Sequence, residues 1–242
     1  MMSRSHAGRY GPSILAGVVV LILLAVSWPR LLADIALQPG NRVKETFLAA
    51  YEVDSDYQLG SGAMATWEQS RRDALGLHAS ADTWNDLALI AMLRARLAPE
   101  LQEKRQYYAQ GREDLVRALA ANPNSGLMWM RLAMIDLNLG KPPDEVLASV
   151  MTSIAVAPYE PSVFANRIKL GFFLWDRLDA ETRETMLQQL EMMAAAEHWN
   201  DIKNLARANP QRIPDMRERL QDNPRALAAV DRGGSLTEAA EN

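Results

Sequence analysis

The chain has no cysteine. That excludes disulfides, thiolate metal sites, thiol nucleophiles and a lipid-modified cysteine anchor. Histidine occurs three times, at His6, His78 and His198, in no ligand spacing such as His-x-x-x-His, so neither a metal nor a cofactor is expected. Aromatic residues make up only 7% while hydrophobic residues reach 48%, drawn largely from alanine, leucine and methionine. Straight-chain side chains lose little rotamer freedom in a helix, so this mix favours helix over strand. No segment alternates apolar and polar residues with a period of two, and the expected fold class is all-α.

Acid is missing from the first thirty positions. All 30 acidic residues lie beyond Arg30, whereas Arg4, Arg9 and Arg30 precede the body, so the body is more acidic than the net charge of −4 implies. Such a body is a poor binder of polyphosphate backbones, which argues against nucleic acid as a partner. No nucleophile, histidine and carboxylate fall into a catalytic grouping. Gly60-Ser61-Gly62 has no preceding strand and no following Lys-Ser/Thr to complete a phosphate-binding loop. Acid pairs such as Glu113-Asp114 and Asp144-Glu145 sit early in helical segments or on solvated faces, where the helix dipole and solubility account for them. A non-enzymatic protein is expected.

What the chain does have is an uncharged, mostly aliphatic run over residues 10–29. About twenty helical residues span roughly 30 Å, the thickness of a bilayer core. Tyr10 and Trp28 bracket the run, Ile14 and Leu21 lie within it, and these four define the expected membrane anchor. Pro29 is expected to end the helix. Two other readings stay open: a signal peptide cleaved after Ala25-Val26-Ser27, leaving a soluble periplasmic protein, and a buried core helix. The short basic tail with Arg4 and Arg9 predicts a cytoplasmic N-terminus and a periplasmic body in a single-pass protein of a bacterial inner membrane.

Residues 1–30 therefore read as tail and anchor. Residues 31–62 read as a juxtamembrane helix and linker, broken at Pro39-Gly40-Asn41, with a short helix over 42–51 and a loop over 54–62. Apolar residues recur three and four apart over 63–77, 82–97, 100–121, 127–139, 144–157, 163–175 and 180–196, with a weaker segment over 199–208. Asp82, Asp144, Ser162 and Asp179 are placed to cap helices, and Gly140 to end one in a left-handed conformation. These segments form one helical domain over 63–208. Residues 209–242 read as a last helix, over 214–220, and a flexible tail; the small, polar composition of 231–242 is that of a frayed end.

A shift of 35 residues aligns the middle of the chain with itself. Leu115 falls on Val150, Ala118 on Ser153, Leu119 on Ile154, Pro123 on Pro158, Trp129 on Phe164 and Leu139 on Leu174. Large apolar, small and proline positions are each kept in class, which is the mark of a helical solenoid.

On these residues the chain resembles the tetratricopeptide repeat, a 34-residue helical hairpin. Gly111, Leu115, Ala118 and Pro123 match its second helix, while Trp129, Leu132, Ala133 and Gly140 match the next first helix. Trp84, Leu87 and Ala88 match another. Asp136 departs from the pattern where an aromatic belongs, and Arg167 where a leucine belongs. The resemblance covers 63–196 and implies an antiparallel hairpin solenoid whose first helices line an inner groove. By position, Asn85, Leu89, Met92, Leu127, Met130, Met134, Asn138, Lys169 and Phe172 would face that groove. Methionine-rich surfaces repack around varied apolar partners, although methionine also commonly fills cores. Trp28-Pro29-Arg30 at the anchor exit, followed by a short solenoid, resembles anchored accessory proteins of bacterial exopolysaccharide biosynthesis and export.

Together these features imply a membrane-anchored scaffold that binds a peptide or helix of an envelope partner. The alternative is a structural subunit packed permanently into a larger inner-membrane complex. Both readings leave the oligomeric state open.

Overall fold

The structure is a computed structural model describing residues 11–53 and 57–238, with side chains described over 16–51 and 57–235. Every regular element among the described residues is helical. The α-helices are α1 (Gly11–Val53), α2 (Ser61–Leu77), α3 (Ala81–Leu97), α4 (Leu101–Ala121), α5 (Gly126–Asn138), α6 (Pro143–Val156), α7 (Phe164–Phe173), α8 (Ala180–Ala195), α9 (Trp199–Ala208), α10 (Ile213–Arg219) and α11 (Pro224–Glu238). Short 3-10 turns at Pro161–Val163, Trp175–Arg177 and Pro210–Arg212 join several of them. The chain divides into two compact units, residues 1–93 and 94–242.

In the first unit α1 overturns two expectations. It neither stops at Pro29 nor breaks at Pro39, but runs through both as one helix about 65 Å long. A proline removes only its own N–H and crowds the carbonyl four residues back, which a long helix tolerates when tertiary contacts hold the flanking turns. At Pro39 such contacts exist. Gly40 is the point of closest approach to α2, where a Cβ would overlap the Ser70 hydroxyl, and Arg71 donates 3.1 Å to the Leu37 carbonyl. The face α1 turns inward includes Ala33, Gly40 and Phe47, spaced in sevens, and α2 answers with Met64, Trp67, Arg71 and Ala74, alternately three and four apart. That periodicity is the seam of two helices packed side by side. Phe47, Leu59, Met64, Trp67, Leu87 and Ile90 form this unit's core.

Earlier along α1, the side chains from Val18 to Leu24, with Val26 and Trp28, stay exposed, Leu21 by 67%. The helix is long and apolar enough to cross a membrane. Tyr10 lies outside the described residues, as does the Ile14 side chain.

The second unit is built around a larger core. Val146, Val150, Phe164, Ile168, Met186, Leu190, Met193, Ile202 and Met216 are all buried there. Its caps follow local chemistry. Asp179 accepts from Thr182 N–H at 2.7 Å at the start of α8, as expected, and Ser125, not foreseen as a cap, accepts from Met128 N–H at the start of α5. Gly140 takes φ +73°, with Gly140 N–H bonded to Leu137 O and Lys141 N–H to Asp136 O. That pair of bonds is the Schellman ending of α5. Pro142, not Asp144, stands at the N-cap of α6, and Ser162 bonds Glu160 instead of capping. In the first unit Ser80, not Asp82, caps α3 by accepting from Thr83 N–H.

Within the stretch expected to fray, 231–242, residues 231–238 continue α11, while 239–242 lie outside the described residues. Asn223 caps α11 at Ala226 N–H, and Ala226, Ala229 and Val230 are fully buried. Gly233 packs so closely on α9 that a Cβ would overlap the Lys203 carbonyl oxygen. The small residues that look like a tail are the packing face of a helix lying against another backbone.

Candidate functional site

The residues expected to line one groove are not equivalent. Met130 and Phe172 are 1% and 3% exposed and belong to the core of the second unit, which corrects their assignment to an open surface. Of the other methionines near Trp129 and in α8, Met128, Met186 and Met193 are also buried, so in these helices methionine mainly fills space. Leu127 and Met134 are half-buried and pack on the same core, while Asn138 and Lys169 are exposed. Spacings of seven and four put Leu127, Met134 and Asn138 on one face of α5. In the first unit Asn85 is buried, and Leu89 and Met92 are half-buried.

The two departures from the repeat pattern are both buried and both partnered. Asp136 is 2% exposed and accepts from Arg112 Nε at 2.7 Å. Arg167 is fully buried. It donates to Ser153 Oγ, the Ser153 and Ala157 carbonyls and Gln189 Oε1, at 2.6 to 3.0 Å. Burial pushes its pKa down to about 10, against a smaller upward pull from Glu160, so it keeps its charge at neutral pH. Ser153 Oγ in turn donates to Gly126 O at 2.7 Å, tying α6 to the start of α5.

The most elaborate polar assembly lies in the first unit. Arg71 is 1% exposed and Asp86 4%. Arg71 Nε and Nη2 both reach Asp86 Oδ2, at 2.9 and 2.8 Å, and Lys44 Nζ reaches Asp86 Oδ1 at 2.7 Å. The remaining Arg71 donors go to Leu37 O, Ser70 Oγ and Asn41 Oδ1. All five guanidinium N–H groups are thus used. One buried carboxylate holds two cations, leaving a net positive charge on α1 and α2.

This triad lies beside a cleft of about 490 Å³. Arg30, Asp34, Leu37, Asn41 and Lys44 of α1 form one wall, and Ser80, Asp82, Thr83 and Asn85 at the start of α3 contribute to another. The α1 residues recur four and three apart, so they share a single face distinct from the seam with α2. Arg30, Asp34, His78 and Asp82 have no side-chain hydrogen bond or ion pair among the described residues. For Arg30 and Asp34 this is consistent with sequence order, because a base preceding an acid by four positions is the weaker arrangement on a helix. No protein-family model matches the chain, and no curated protein matches it either. The cleft is lined by charged side chains of both signs. No cluster of three or more histidine, aspartate or glutamate side chains able to hold a metal occurs among the described residues.

Proposed function

We propose that the chain is a non-enzymatic, membrane-anchored scaffold that presents a tetratricopeptide-like helical body to a protein partner of the bacterial envelope. The observation that carries this reading is the continuity of α1. Its apolar side chains from Val18 to Leu24, with Val26 and Trp28, are exposed, and its second half packs on α2 without an intervening linker. Exposed apolar surface of that extent is costly in water and is the surface a bilayer covers. An anchor continuous with the first unit would hold that unit at a set distance from the membrane instead of on a flexible tether.

In this reading α1 crosses the inner membrane once, with a cytoplasmic N-terminus and a periplasmic body. The 35-residue self-similarity and the caps of α5 and α8 support repeated helical hairpins. The edge of α5 that carries the half-buried Leu127 and Met134 and the exposed Asn138 is the proposed contact for a partner peptide or helix, and exopolysaccharide export is the proposed setting. A C-terminal alkaline phosphatase fusion tests the topology and should be active in cells; a fusion active only with cytoplasmic reporters would reverse it. Photo-crosslinking in cells from positions 134 and 138 tests the partner surface, and the absence of any protein adduct from both would sink it.

A further inference from the structure

We propose that the cleft beside Arg71 and Asp86 binds the headgroup of an aminophospholipid, a phosphodiester carrying a primary ammonium. The inference rests on the membrane-spanning reading of α1.

Depth comes first. Arg30 directly follows Pro29 at the end of the uncharged run. Trp28, Leu31 and Ile35 are 58%, 50% and 58% exposed, and their spacing puts them on a different face of α1 from Arg30 and Asp34. An exposed tryptophan followed by exposed aliphatics marks a helix leaving the hydrocarbon through the interface. The headgroup layer on each side is roughly 6 Å thick, and the rise from Arg30 to Asp34 is also about 6 Å. The mouth of the cleft therefore falls in that layer.

Charge comes second. The cleft carries the free guanidinium of Arg30 and the net positive charge of the Lys44, Arg71 and Asp86 triad. Against these stand the unpaired carboxylates of Asp34 and Asp82. A purely anionic headgroup would satisfy the cations and leave both carboxylates facing it. A quaternary ammonium would neutralise the carboxylates but offers them no N–H. A phosphate for Arg30 and a primary ammonium shared between Asp34 and Asp82 matches both halves through charge-assisted hydrogen bonds.

The test uses the full chain, purified from membranes in mild detergent, with retained lipid read by native mass spectrometry. Phosphatidylethanolamine, phosphatidylcholine and phosphatidylglycerol are offered in equal amounts, with soluble glycerophosphoethanolamine in a separate arm. Phosphatidylethanolamine should be retained over both others. The double variant Asp34→Asn, Asp82→Asn should lose that preference by about threefold or more, and Arg30→Ala should weaken all three lipids by a similar factor. Because these groups have no protein partner, circular dichroism should show all variants folded. A preference for phosphatidylglycerol, no effect of the acid substitutions, or equal binding of the soluble ester would each overturn the proposal. Alkaline extraction of vesicles separates the two claims. A chain that leaves the membrane refutes the anchor, whereas one that stays without headgroup preference refutes only the cleft.

Discussion

Arg167 Nη2 lies 2.6 Å from the carbonyl oxygen of Ser153, and Arg167 Nε lies 3.0 Å from the Ser153 hydroxyl. With its further bond to Ala157 O, the guanidinium closes the carboxyl end of α6, where a cation complements the helix dipole. Removing it would take the guanidinium donor from the Ala157 carbonyl and the Gln189 amide oxygen, and one of two partners from the Ser153 carbonyl and hydroxyl, which keep Ala157 N–H and Gly126 O. Arg167→Leu is expected to cost about 3 kcal/mol, in the range for buried charge-bonded groups. Arg167→Lys should recover only part, since an ammonium cannot reach partners spread in a plane. Urea unfolding of the chain in mild detergent checks both; a midpoint unchanged by Arg167→Leu would remove the capping role.

Gly233 tests whether α11 is part of the fold. A side chain there would meet Lys203 O and come within 2.7 Å of the Ala206 Cβ on α9. Gly233→Val should cost about 1–3 kcal/mol by overpacking. Gly76 in α2 has open space around its Cβ position, so Gly76→Ala should stabilise by about 0.5–1 kcal/mol through helix propensity. Amide exchange should show faster exchange in α11 for the valine variant alone. Unchanged protection there would mean the two helices do not hold each other.

Much of the fold is readable from the chain, and the misreadings share a cause. The caps at Asp179 and Gly140 are local events, settled by a residue and its next few neighbours. The long α1 is not local. Pro39-Gly40 reads as a break because what holds the flanking turns, the close packing of Gly40 on Ser70 and Arg71 of α2, lies far along the sequence. That break also hides the cleft, since Arg30, Asp34, Leu37, Asn41 and Lys44 align only if the helix continues through Pro39. Asp136 and Arg167 stand out as misfits to a repeat, but the partners that make them acceptable, Arg112, Ser153 and Gln189, cannot be named from spacing. Met130 fits a groove by repeat position. Three-dimensional packing puts it inside, a choice that flexible methionine leaves to its surroundings.

Met130→Lys and Met134→Lys should therefore behave differently. Position 130 is closed, and an ammonium placed there has no partner, at a cost of about 3 kcal/mol or more. Position 134 is half-open, so a lysine can extend its charge into water at a cost of under about 1 kcal/mol. Thermal melts followed by circular dichroism should show a large loss for Met130→Lys only. Partner crosslinking should be sensitive to Met134→Lys with the fold intact.

The Asp179 cap gives a pH dependence with a definite sign. Hydrogen bonds from the backbone and side chain of Thr182 hold the Asp179 carboxyl below the usual range, with a lesser downward pull from Arg183. The folded state thus prefers the ionised form. The stabilisation is complete above the unfolded carboxyl's pKa, near 4, and is lost as the pH falls through the lower folded value. Asp179→Asn keeps an acceptor for Thr182 N–H without titrating. Unfolding midpoints of the two proteins should draw together or cross as the pH drops below about 4. Parallel curves from pH 7 to 3 would show that the cap does not titrate.

Asp86 offers the sharpest contrast between breaking a charge cluster and replacing it. Asp86→Ala leaves the Arg71 guanidinium buried and Lys44 without its counter-charge, and should cost about 3–5 kcal/mol. Arg71→Met alone should cost a similar amount, because it bares Leu37 O, Asn41 and one oxygen of Asp86. Lys44 remains to pair the other oxygen. The double variant Arg71→Met, Asp86→Leu removes the charge and its partner together, so its cost should fall well short of the sum of the single effects. A double-mutant cycle on chemical unfolding reads that difference directly, with a coupling of about 1–3 kcal/mol expected for residues in one network. Additive effects would mean that Arg71 and Asp86 act independently. The wall beneath the Arg30 and Asp34 cleft would then be held by helix packing at Gly40 and Phe47 instead of by the buried ions.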